Sequence, residues 1–243
     1  MGQTVIYTAI FGNREPLREP KFRPPGCDFV CFTDQPFSSV TWLVRRMKAP
    51  HIDPLRASRK IKILAHRYVP EYEQSVWIDG NLIVRGDVNE LLQKYLSEAP
   101  LAVFRHAHGT MDPHNSLKEE VAFLIHRAAQ GKSKDDPAVI QAQLSEYERR
   151  GFPDTNGLSI NMVILRKHNN PNVVAAMNLW WDEYDAWSKR DQMSFNYVMW
   201  KTGLPFTYMD GDSRNNPYFQ WVPHEHVPYL TRKWHKLLKY VRY

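Results

Sequence analysis

The segment from Ser75 to Val84 constrains the fold of this chain more than any other stretch. Two apolar runs, Val76–Ile78 and Leu82–Val84, flank the polar triplet 79–81. Apolar runs of this length are typical of strands that are covered on both faces. The segment therefore predicts a buried strand with polar side chains held where the strand is interrupted.

Two interpretations of Asp79-Gly80-Asn81 are open. In extended backbone Asp79 and Asn81 point to the same side, and Gly80 lets a ligand approach the main chain. Two oxygen donors on one face suit a hard divalent ion that carries phosphate oxygens. Alternatively, the triplet is a hairpin turn in which the Asp and Asn side chains bond their own backbone. This stretch alone does not separate the two.

Composition indicates a globular α/β protein. The 243 residues suffice for one large domain or two small ones, and 43% hydrophobic with 13% aromatic residues excludes a disordered chain. No apolar run approaches the roughly 20 residues of a membrane-spanning helix, and the first residues lack the features of a signal peptide. We therefore predict a cytoplasmic protein, in which Cys27 and Cys31 are reduced thiols. The net charge of +6 favours anionic partners.

Strand-like and helix-like segments alternate along one uninterrupted domain, residues 1–230. The patterns predict strands at 5–11, 28–32, 41–44, 77–84, 101–104, 157–165 and 206–209. They predict helices at 53–68, 87–95, 115–131, 137–150 and 172–188, and another that opens at 190–192.

Polar residues near the ends of the first two strands are candidate ligand contacts. In an open α/β sheet, ligands bind at the carboxyl ends of the strands. Tyr7 and Thr8, with Thr33 and Asp34, could contact a base and a ribose there. Capping and turn chemistry is the alternative for each of them taken alone.

The helix predicted over 53–68 is strongly basic. Arg59 and Lys62 are three residues apart and share a helix face, so both could reach one diphosphate. The alternative is a basic face that simply contacts solvent.

Three histidines, His106, His108 and His114, follow the strand at 101–104. None has the spacing of two metal ligands on one helix, so the sequence favours a polar substrate wall over a zinc site made by protein alone.

Asp191 and Gln192 open a helix late in the chain. Asp191 could be a simple N-cap. An Asp-Gln pair at this position could also hold the hydroxyls of a sugar.

The segment 231–243 mixes basic residues with aromatics and leucines. Such a composition at helical spacing suits an anionic membrane surface. A C-terminal helix packed on the domain is the alternative.

Several motifs in a fixed order carry a family resemblance. They are Tyr7-Thr8-Ala9-Ile10-Phe11-Gly12, Cys31-Phe32-Thr33-Asp34, Arg59…Lys62, Trp77-Ile78-Asp79-Gly80-Asn81, the His106 and Glu120 region, Tyr147…Gly151-Phe152-Pro153, and Arg190-Asp191-Gln192. This order resembles the glycosyltransferase-like domain of the plant MUCI/TOD type, a branch of the GT-A sugar-nucleotide transferases similar to the retaining family-8 enzymes. The resemblance covers Tyr7 to Asp210. It implies a single GT-A domain with a mixed, mostly parallel sheet flanked by helices.

The resemblance also implies an activity: transfer of a hexose from a nucleotide sugar, UDP-linked, to a glycan or glycolipid acceptor with retention of configuration. By that likeness Asp191 holds sugar hydroxyls and Gln192 faces the anomeric carbon. His106 and Glu120 lie on the acceptor side. The implied donor-binding residues are Tyr7, Thr8, Ala9, Thr33, Asp34, Arg59, Lys62, Asp79 and Gly80.

A divalent ion, manganese, is the implied cofactor. Asp79-Gly80-Asn81 matches the Asp-x-Asp position at which GT-A enzymes bind the ion that bridges to the diphosphate. Asn81 replaces the second acid, and a neutral oxygen holds an ion less strongly. Candidates for a third ligand are Asp210, Asp212 and His224.

Two rival functions follow from other features. A nucleotidyltransferase would need a glycine-rich phosphate loop after the first strand, but Phe11-Gly12-Asn13-Arg14 has one glycine. A nucleic-acid-binding protein would use the basic helix and the aromatic residues, and would show steeply salt-dependent binding. We do not expect a nucleic acid partner.

Overall fold

The computed structural model describes residues 3–106, 114–132, 135–155 and 157–223. The strands are β1 Thr4–Ile10, β2 Cys27–Thr33, β3 Leu43–Arg46, β4 Gln74–Ile78, β5 Leu82–Val84, β6 Leu101–Arg105, β7 Ser159–Arg166, β8 Thr207–Met209 and β9 Phe219–Trp221. The helices are α1 Pro54–Ile63, α2 Ala65–Tyr68, α3 Val88–Tyr95, α4 Leu117–Ala129, α5 Pro137–Arg149, α6 Pro171–Ala186 and α7 Gln192–Thr202.

Seven strands form one central sheet in the order β3-β2-β1-β4-β7-β6-β8. Every neighbouring pair is parallel except the two pairs that involve β7, which is antiparallel to both β4 and β6. Six strands therefore run in one direction. The prediction of an α/β fold with a mixed, mostly parallel sheet flanked by helices is confirmed.

The strand order reverses beside β1. From β1 the chain moves outward to β2 and β3, and it then returns to place β4 on the other side of β1. Such a reversal leaves a crevice at the carboxyl ends of the two strands, where ligands bind in open α/β sheets. We call this side of the sheet the carboxyl edge. Asp79 follows β4 directly at this edge.

Two hydrophobic cores cover the faces of the sheet, and all seven residues of β1 are buried. Alternate residues of β1 enter opposite cores: Val5 and Tyr7 pack in the core shared with α1, α6 and α7, while Ile6 packs in the core shared with α3. This double coverage explains why β1 is apolar at almost every position rather than alternating.

The segment 75–84 forms two strands that belong to different sheets. β4 ends at Ile78, and the next residues turn, with the Leu82 N–H donating to the Asp79 carbonyl at 2.9 Å. β5 then pairs with β9 in a separate two-stranded sheet. The expectation of one strand over 77–84 is corrected, and the argument from extended backbone does not apply to Asp79 and Asn81.

The predicted helix over 53–68 is divided at Leu64 into α1 and α2. Asp53 caps the first helix, since its carboxylate accepts from the Leu55 N–H at 2.8 Å. Both cysteines are free thiols, as predicted. Within the described ranges, no helix is long and apolar enough to cross a membrane. Residues 224–243, which include the predicted membrane-contacting tail, lie outside these ranges.

Candidate active site

Four charged side chains meet at the carboxyl edge, and we call them the charge cluster: Arg59, Lys62, Asp79 and Asp191. The Lys62 Nζ contacts Asp191 Oδ2 directly and lies 3.4 Å from Asp79 Oδ1. Arg59 lies 3.7 Å from Asp79 Oδ1 through one terminal nitrogen and 3.6 Å from Asp191 Oδ2 through Nε. Each cation therefore contacts both carboxylates.

Three separate elements build the charge cluster. Successive turns of α1 supply Arg59 and Lys62, the end of β4 supplies Asp79, and the residue before α7 supplies Asp191. The spacing of three along α1 puts both cations on one face, as the sequence predicted. Convergence of the two carboxylates on that face is a result of the tertiary fold.

Trp77 fixes the carboxylate of Asp79. Its indole Nε1–H donates to Asp79 Oδ1 at 2.8 Å, and the Lys62 ammonium lies 5.7 Å from the centre of its ring. The side chain of Asp79 retains 18% exposure. The Trp77 indole therefore fixes the orientation of Asp79, while part of the Asp79 carboxylate still faces solvent.

Asp191 does not act as the N-cap of α7. Its side chain makes no capping hydrogen bond, and the carboxylate turns to Lys62 and Arg59 instead. Its own carbonyl accepts from the Trp180 indole at 3.0 Å. Gln192, the first residue of α7, is half-buried beside it. The structure thus removes the simple capping interpretation of Asp191.

Burial and ion pairing act in opposite directions on these groups. Burial favours the neutral acid at Asp191, but Lys62 and Arg59 outweigh it and hold the pKa of Asp191 below its usual value. Burial lowers the pKa of Lys62, and the attraction of Asp191 and Asp79 offsets this only in part. Burial also opposes the charge of Arg59, yet Asp79 and Asp191 raise its pKa above the ordinary value.

Arg166 and Tyr7 hold the backbone of α1 at Lys62. Arg166 is fully buried at the end of β7, and its guanidinium donates to the carbonyls of Lys62 and Ile63 at 2.6 and 3.1 Å. The Tyr7 hydroxyl donates to the same Lys62 carbonyl at 2.8 Å. These bonds satisfy carbonyls at the end of the helix that have no partner within it.

Tyr7, Thr8 and Ala9 lie below the carboxyl edge rather than at it. β1 continues to Ile10, so Tyr7 is its central residue and has no exposed surface. Thr8 is also buried, and the Ala9 carbonyl accepts from Ser58 at 2.9 Å. The structure therefore gives these residues packing and positioning contacts, and places no surface of Tyr7 within reach of a donor.

Thr33 and Asp34 differ in exposure. Thr33 is buried, and its hydroxyl accepts from the Gln35 N–H at 2.9 Å, which is turn chemistry. Asp34 accepts from the Gly12 N–H at 3.1 Å and borders an open pocket of about 830 Å³. The remaining lining of this pocket is Arg46, Met47, Lys48, Ala49, Pro50, His51 and Ile52. Asp34 is thus accessible from this pocket, whereas Thr33 is not exposed.

Gly80 lies in close contact with the end of β1. A Cβ at this position would lie 3.2 Å from Cγ1 of Ile10, the last residue of β1. The Gly80 carbonyl accepts from Arg18 at 3.3 Å. Gly80 therefore lets the turn after β4 approach the end of β1.

The oxygen donors at Asp79 and Asn81 match the chemistry of magnesium or manganese but are few. Asp79 offers one partly exposed carboxylate, and the neutral amide side chain of Asn81 is buried in the turn. Among the described residues, no group of three His, Cys, Asp or Glu ligands includes Asp79. Mg²⁺ is commonly held by one or two carboxylates together with substrate phosphates and waters, and the set fits an ion bound in that way.

Of the three candidates for a third metal ligand, two bind other groups of the protein and one lies outside the described residues. Asp210 accepts from Lys94 and from the Tyr95 hydroxyl, both at 3.0 Å. Asp212 accepts from the Arg214 N–H at 2.8 Å. His224 falls outside the described residues.

His106 and Glu120 come together with His114 beyond the end of β6. One nitrogen or oxygen atom from each of the three side chains lies within 4.8 Å of the other two. His114 Nδ1 lies 2.7 Å from Glu120 Oε2, and the two imidazole rings stack. The His114 backbone N–H donates to His106 Nδ1 at 3.1 Å, so the proton of a neutral His106 is on Nε2, facing Glu120 at 3.9 Å. A neutral His106 in this tautomer does not offer Nε2 to a metal.

Sequence reasoning missed three residues whose polar contacts lie near the residues of the candidate site. Trp77 belongs to a predicted apolar run and Arg166 follows the predicted strand 157–165, although a buried indole N–H or guanidinium requires a hydrogen-bond partner. His114 was noted only as one of several histidines. Its pairing with Glu120, six residues later, depends on the turn that precedes α4.

The family described as "TOD1/MUCI70, glycosyltransferase-like domain" matches residues 29–210, which is most of the chain. The chain belongs to the TOD1/MUCI70 glycosyltransferase-like domain family. The resemblance inferred from the motifs is thereby confirmed.

A curated relative supports the TOD1/MUCI70 assignment. The chain is 30% identical over 223 residues to the "Probable hexosyltransferase MUCI70" of Arabidopsis thaliana, an alignment that covers 80% of this chain and 36% of that protein. The chain thus spans about a third of the length of this relative.

Solved structures similar to this TOD1/MUCI70 domain are glycosyltransferases of low sequence identity. The apo WbbM bifunctional glycosyltransferase has a TM-score of 0.46 at 12% identity, covering 98% of this chain and 44% of that chain. Apo mouse xyloside xylosyltransferase 1 has a TM-score of 0.44 at 12% identity, covering 86% and 85%. A glycosyltransferase that acts in glycosylation of the PBCV-1 major capsid has a TM-score of 0.45 at 9% identity, covering 97% and 98%.

Proposed function

We propose that this chain is a hexosyltransferase that uses a nucleotide sugar, with UDP as the nucleotide, and that the charge cluster binds the donor. The family of the chain supports transferase activity. One observation carries the assignment to these residues: Asp79 and Asp191 meet through Arg59 and Lys62 at the crevice beside β1.

Glycosyl transfer develops positive charge at the sugar and negative charge on the departing diphosphate. Arg59 retains 19% side-chain exposure, so its guanidinium can bind phosphate oxygens while its Nε stays near Asp191. Lys62, almost fully buried, fixes Asp191 at the start of α7, from which Gln192 would face the anomeric carbon. Cations held in position before reaction stabilise leaving-group charge without reorganisation.

A divalent ion fits the Asp79 region only if the donor's phosphates supply further ligands. Asp79 and Asn81 would hold it together with the donor's phosphates, and when bound it would act as a Lewis acid toward the diphosphate. The residues of the chain itself would bind and orient the donor.

Retention of configuration is the stereochemistry that we propose. An inverting enzyme needs a free base to activate the acceptor hydroxyl. Both carboxylates of the charge cluster are engaged by Lys62 and Arg59. Glu120, on the proposed acceptor side, is engaged by His114. In a retaining reaction the departing phosphate can itself accept the proton of the acceptor. We place the acceptor, a glycan or glycolipid, toward His106 and Glu120.

The experiment is release of UDP from a panel of UDP-hexoses by the purified chain. The Asp79→Ala variant should lose at least about 100-fold of the rate, as expected for removal of a preorganised electrostatic group. Asp182→Ala, on an exposed position of α6, is the matched control and should retain the wild-type rate. Circular dichroism should show that both variants remain folded. Unchanged donor turnover in Asp79→Ala would reject the site.

The alternative function, nucleic-acid binding, has a separate signature. It predicts binding to DNA or RNA that weakens steeply with salt, whereas a transferase should be stabilised thermally by UDP. A thermal-shift measurement with UDP, beside an RNA and DNA binding assay at two salt concentrations, distinguishes the two.

A further inference from the structure

A second pocket, of about 380 Å³, opens at the carboxyl edge beside the ends of β6 and β8. Both strands run in the same direction as β1 and β4, so residues at their ends lie on the same side of the sheet as the charge cluster. The pocket is lined by Arg105, Asn115, Tyr208, Met209 and Asp210. Two chain neighbours of this lining, His106 and His114, belong to the cluster toward which we place the acceptor.

The guanidinium of Arg105 lies over the ring of Tyr208, 4.3 Å from the ring centre. Within the part of the chain that the structure describes, this stacking is its one contact, because the guanidinium makes neither a hydrogen bond nor an ion pair. A stacked guanidinium keeps the N–H groups at its edge available, and those groups match two oxygens of a carboxylate or a phosphate. Arg105 is half-buried, so a ligand in the pocket can reach these groups.

Two contacts hold the stacked pair in place. The Asn196 amide donates to the Tyr208 hydroxyl at 2.7 Å, which fixes the ring from α7. A Cβ on Gly157 would lie 3.1 Å from the same hydroxyl and 3.3 Å from a terminal nitrogen of Arg105, so the glycine leaves room for the pair. The arrangement therefore exists before a ligand binds, which lowers the entropy cost of ordering Arg105.

The pocket has an excess of positive charge. The carboxylate of Asp210 accepts from the Lys94 ammonium and from the Tyr95 hydroxyl, both at 3.0 Å, so its charge is balanced by Lys94. Among the described lining residues, no other acid is present to balance Arg105. The exposed Asn115 adds a neutral amide, which both donates and accepts hydrogen bonds. An anion that also carries hydroxyl groups fits this combination.

We propose that this pocket binds an anionic group of the acceptor, a sugar carboxylate or a glycosyl phosphate, and that Arg105 recognises it. The inference rests on the proposed function, since the donor at the charge cluster and the acceptor at this pocket would meet along one edge of the sheet. Recognition through Arg105 makes an acidic acceptor bind more tightly than its neutral counterpart.

The test compares three small sugars as probes: methyl glucoside, methyl glucuronide and glucose 1-phosphate. Their binding to the purified chain is measured by titration in saturation-transfer difference NMR. We expect at least one of the two anions to bind at least about 10-fold more tightly than methyl glucoside, as charge-assisted hydrogen bonds predict. Tighter binding of methyl glucuronide indicates an acidic sugar in the acceptor, and tighter binding of glucose 1-phosphate indicates a phosphate-linked sugar.

Two variants change the charge of the pocket independently. Arg105→Gln removes the cation and Asn115→Asp adds an acid, so each should weaken binding of the anionic sugar at least about 10-fold without changing that of methyl glucoside. Arg105→Lys keeps the charge but loses the planar pair of donors, and should give an intermediate affinity. Lys201→Gln is the matched control, because it removes an exposed cation that lies over another ring, that of Trp200, outside the pocket. It should leave all three affinities unchanged.

Three results would overturn the inference. They are failure of both anions to bind the wild-type chain, binding of methyl glucoside as tight as that of the anions, and anion binding that Arg105→Gln and Asn115→Asp both leave intact. Each leaves the proposed function standing, because release of UDP from UDP-hexoses is measured separately. If UDP release is absent while anion binding through Arg105 is present, the proposed function fails and the pocket is an anion site without an acceptor role.

Discussion

The Lys62 ammonium and the Asp191 carboxylate form an ion pair that ties the last turn of α1 to the first residue before α7. Lys62 has 1% side-chain exposure and Asp191 has 11%. Both charges were removed from water on folding, and each depends on the other for compensation. The pair therefore links the geometry of the crevice beside β1 to the stability of the domain.

Removing one member of this pair should be costly. In Lys62→Met, Asp191 stays buried with only Arg59 beside it, and we expect unfolding free energy to fall by about 3–5 kcal/mol. The double variant Lys62→Met/Asp191→Asn removes both charges and should recover more than half of that loss, without recovering UDP release. Urea unfolding of the two single variants and the double variant measures this coupling. Additive losses would show that the ion pair is not the stabilising contact.

Tyr7→Phe should weaken donor binding although Tyr7 never reaches the donor. The variant removes a hydroxyl that bonds the Lys62 carbonyl and contacts Arg166, leaving buried polar groups unsatisfied. We expect a stability loss of about 1–3 kcal/mol and a weaker Kd for UDP. Tyr95→Phe loses a hydroxyl that bonds Asp210, and it should lower stability without changing the Kd. Equal Kd values for the two variants would refute positioning through Tyr7.

Gly12→Ala should destabilise the chain more than Gly26→Ala. Both glycines have positive φ, +66° and +71°, so both variants incur a backbone cost of about 1 kcal/mol. A Cβ on Gly12 would also lie 2.7 Å from Cγ of Pro54, at the start of α1, whereas a Cβ on Gly26 meets no atom within 4 Å. Overpacking of this kind adds about 1–3 kcal/mol. Equal melting temperatures would contradict the predicted contact.

Stability should fall between pH 6.5 and pH 4 because of His168. Burial, with a smaller contribution from Arg166, lowers the pKa of His168 from 6.5 to about 4, and its Nε2 donates to the Val69 carbonyl at 2.9 Å. The unfolded chain takes up a proton in this interval and the folded chain does not, so stability that is present above pH 6.5 is lost as pH falls, by up to about 3 kcal/mol.

The His168→Gln variant keeps a hydrogen-bond donor for the Val69 carbonyl, but its side chain does not take up a proton in this pH range. Urea unfolding at pH 7 and pH 4.5 should show a smaller difference for this variant than for wild type. His126→Gln, at an exposed position of α4, should leave the difference unchanged. An identical pH dependence in His168→Gln and wild type would assign the effect to other groups.

The sequence predicted the secondary-structure elements better than it predicted how they pair and pack. Length and apolar character identified β1, β2, β6 and β7 with small errors at their ends. β9 was missed because three residues, Phe219–Trp221, give too little pattern to distinguish a strand from a loop. Its partner β5 was joined to β4 because the turn between them is flanked by apolar residues on both sides.

The candidate site was predicted residue by residue, but its connections were not. Arg59 and Lys62 were placed on one helix face by spacing alone, whereas their contacts with Asp79 and Asp191 depend on how α1, β4 and α7 pack. Tyr7 shows the limit of this reasoning. The sequence predicts a strand over 5–11 with a ligand contact for Tyr7 near its end, whereas Tyr7 is the central residue of β1 and has no exposed surface. The catalytic and donor-binding roles themselves stay predictions.

Closure of the two-stranded sheet sets an order of events during synthesis. The Val222 N–H donates to the Asn81 carbonyl at 2.9 Å, and β9 pairs with β5 along Leu82–Val84. Residues 74–84 leave the ribosome long before their partners at 219–222 exist. A nascent chain can assemble β1, β2 and β4 early, but the turn that carries Asp79 has its final support only after Val222 has been added. Arrest of translation before that point should yield a compact intermediate that does not bind UDP.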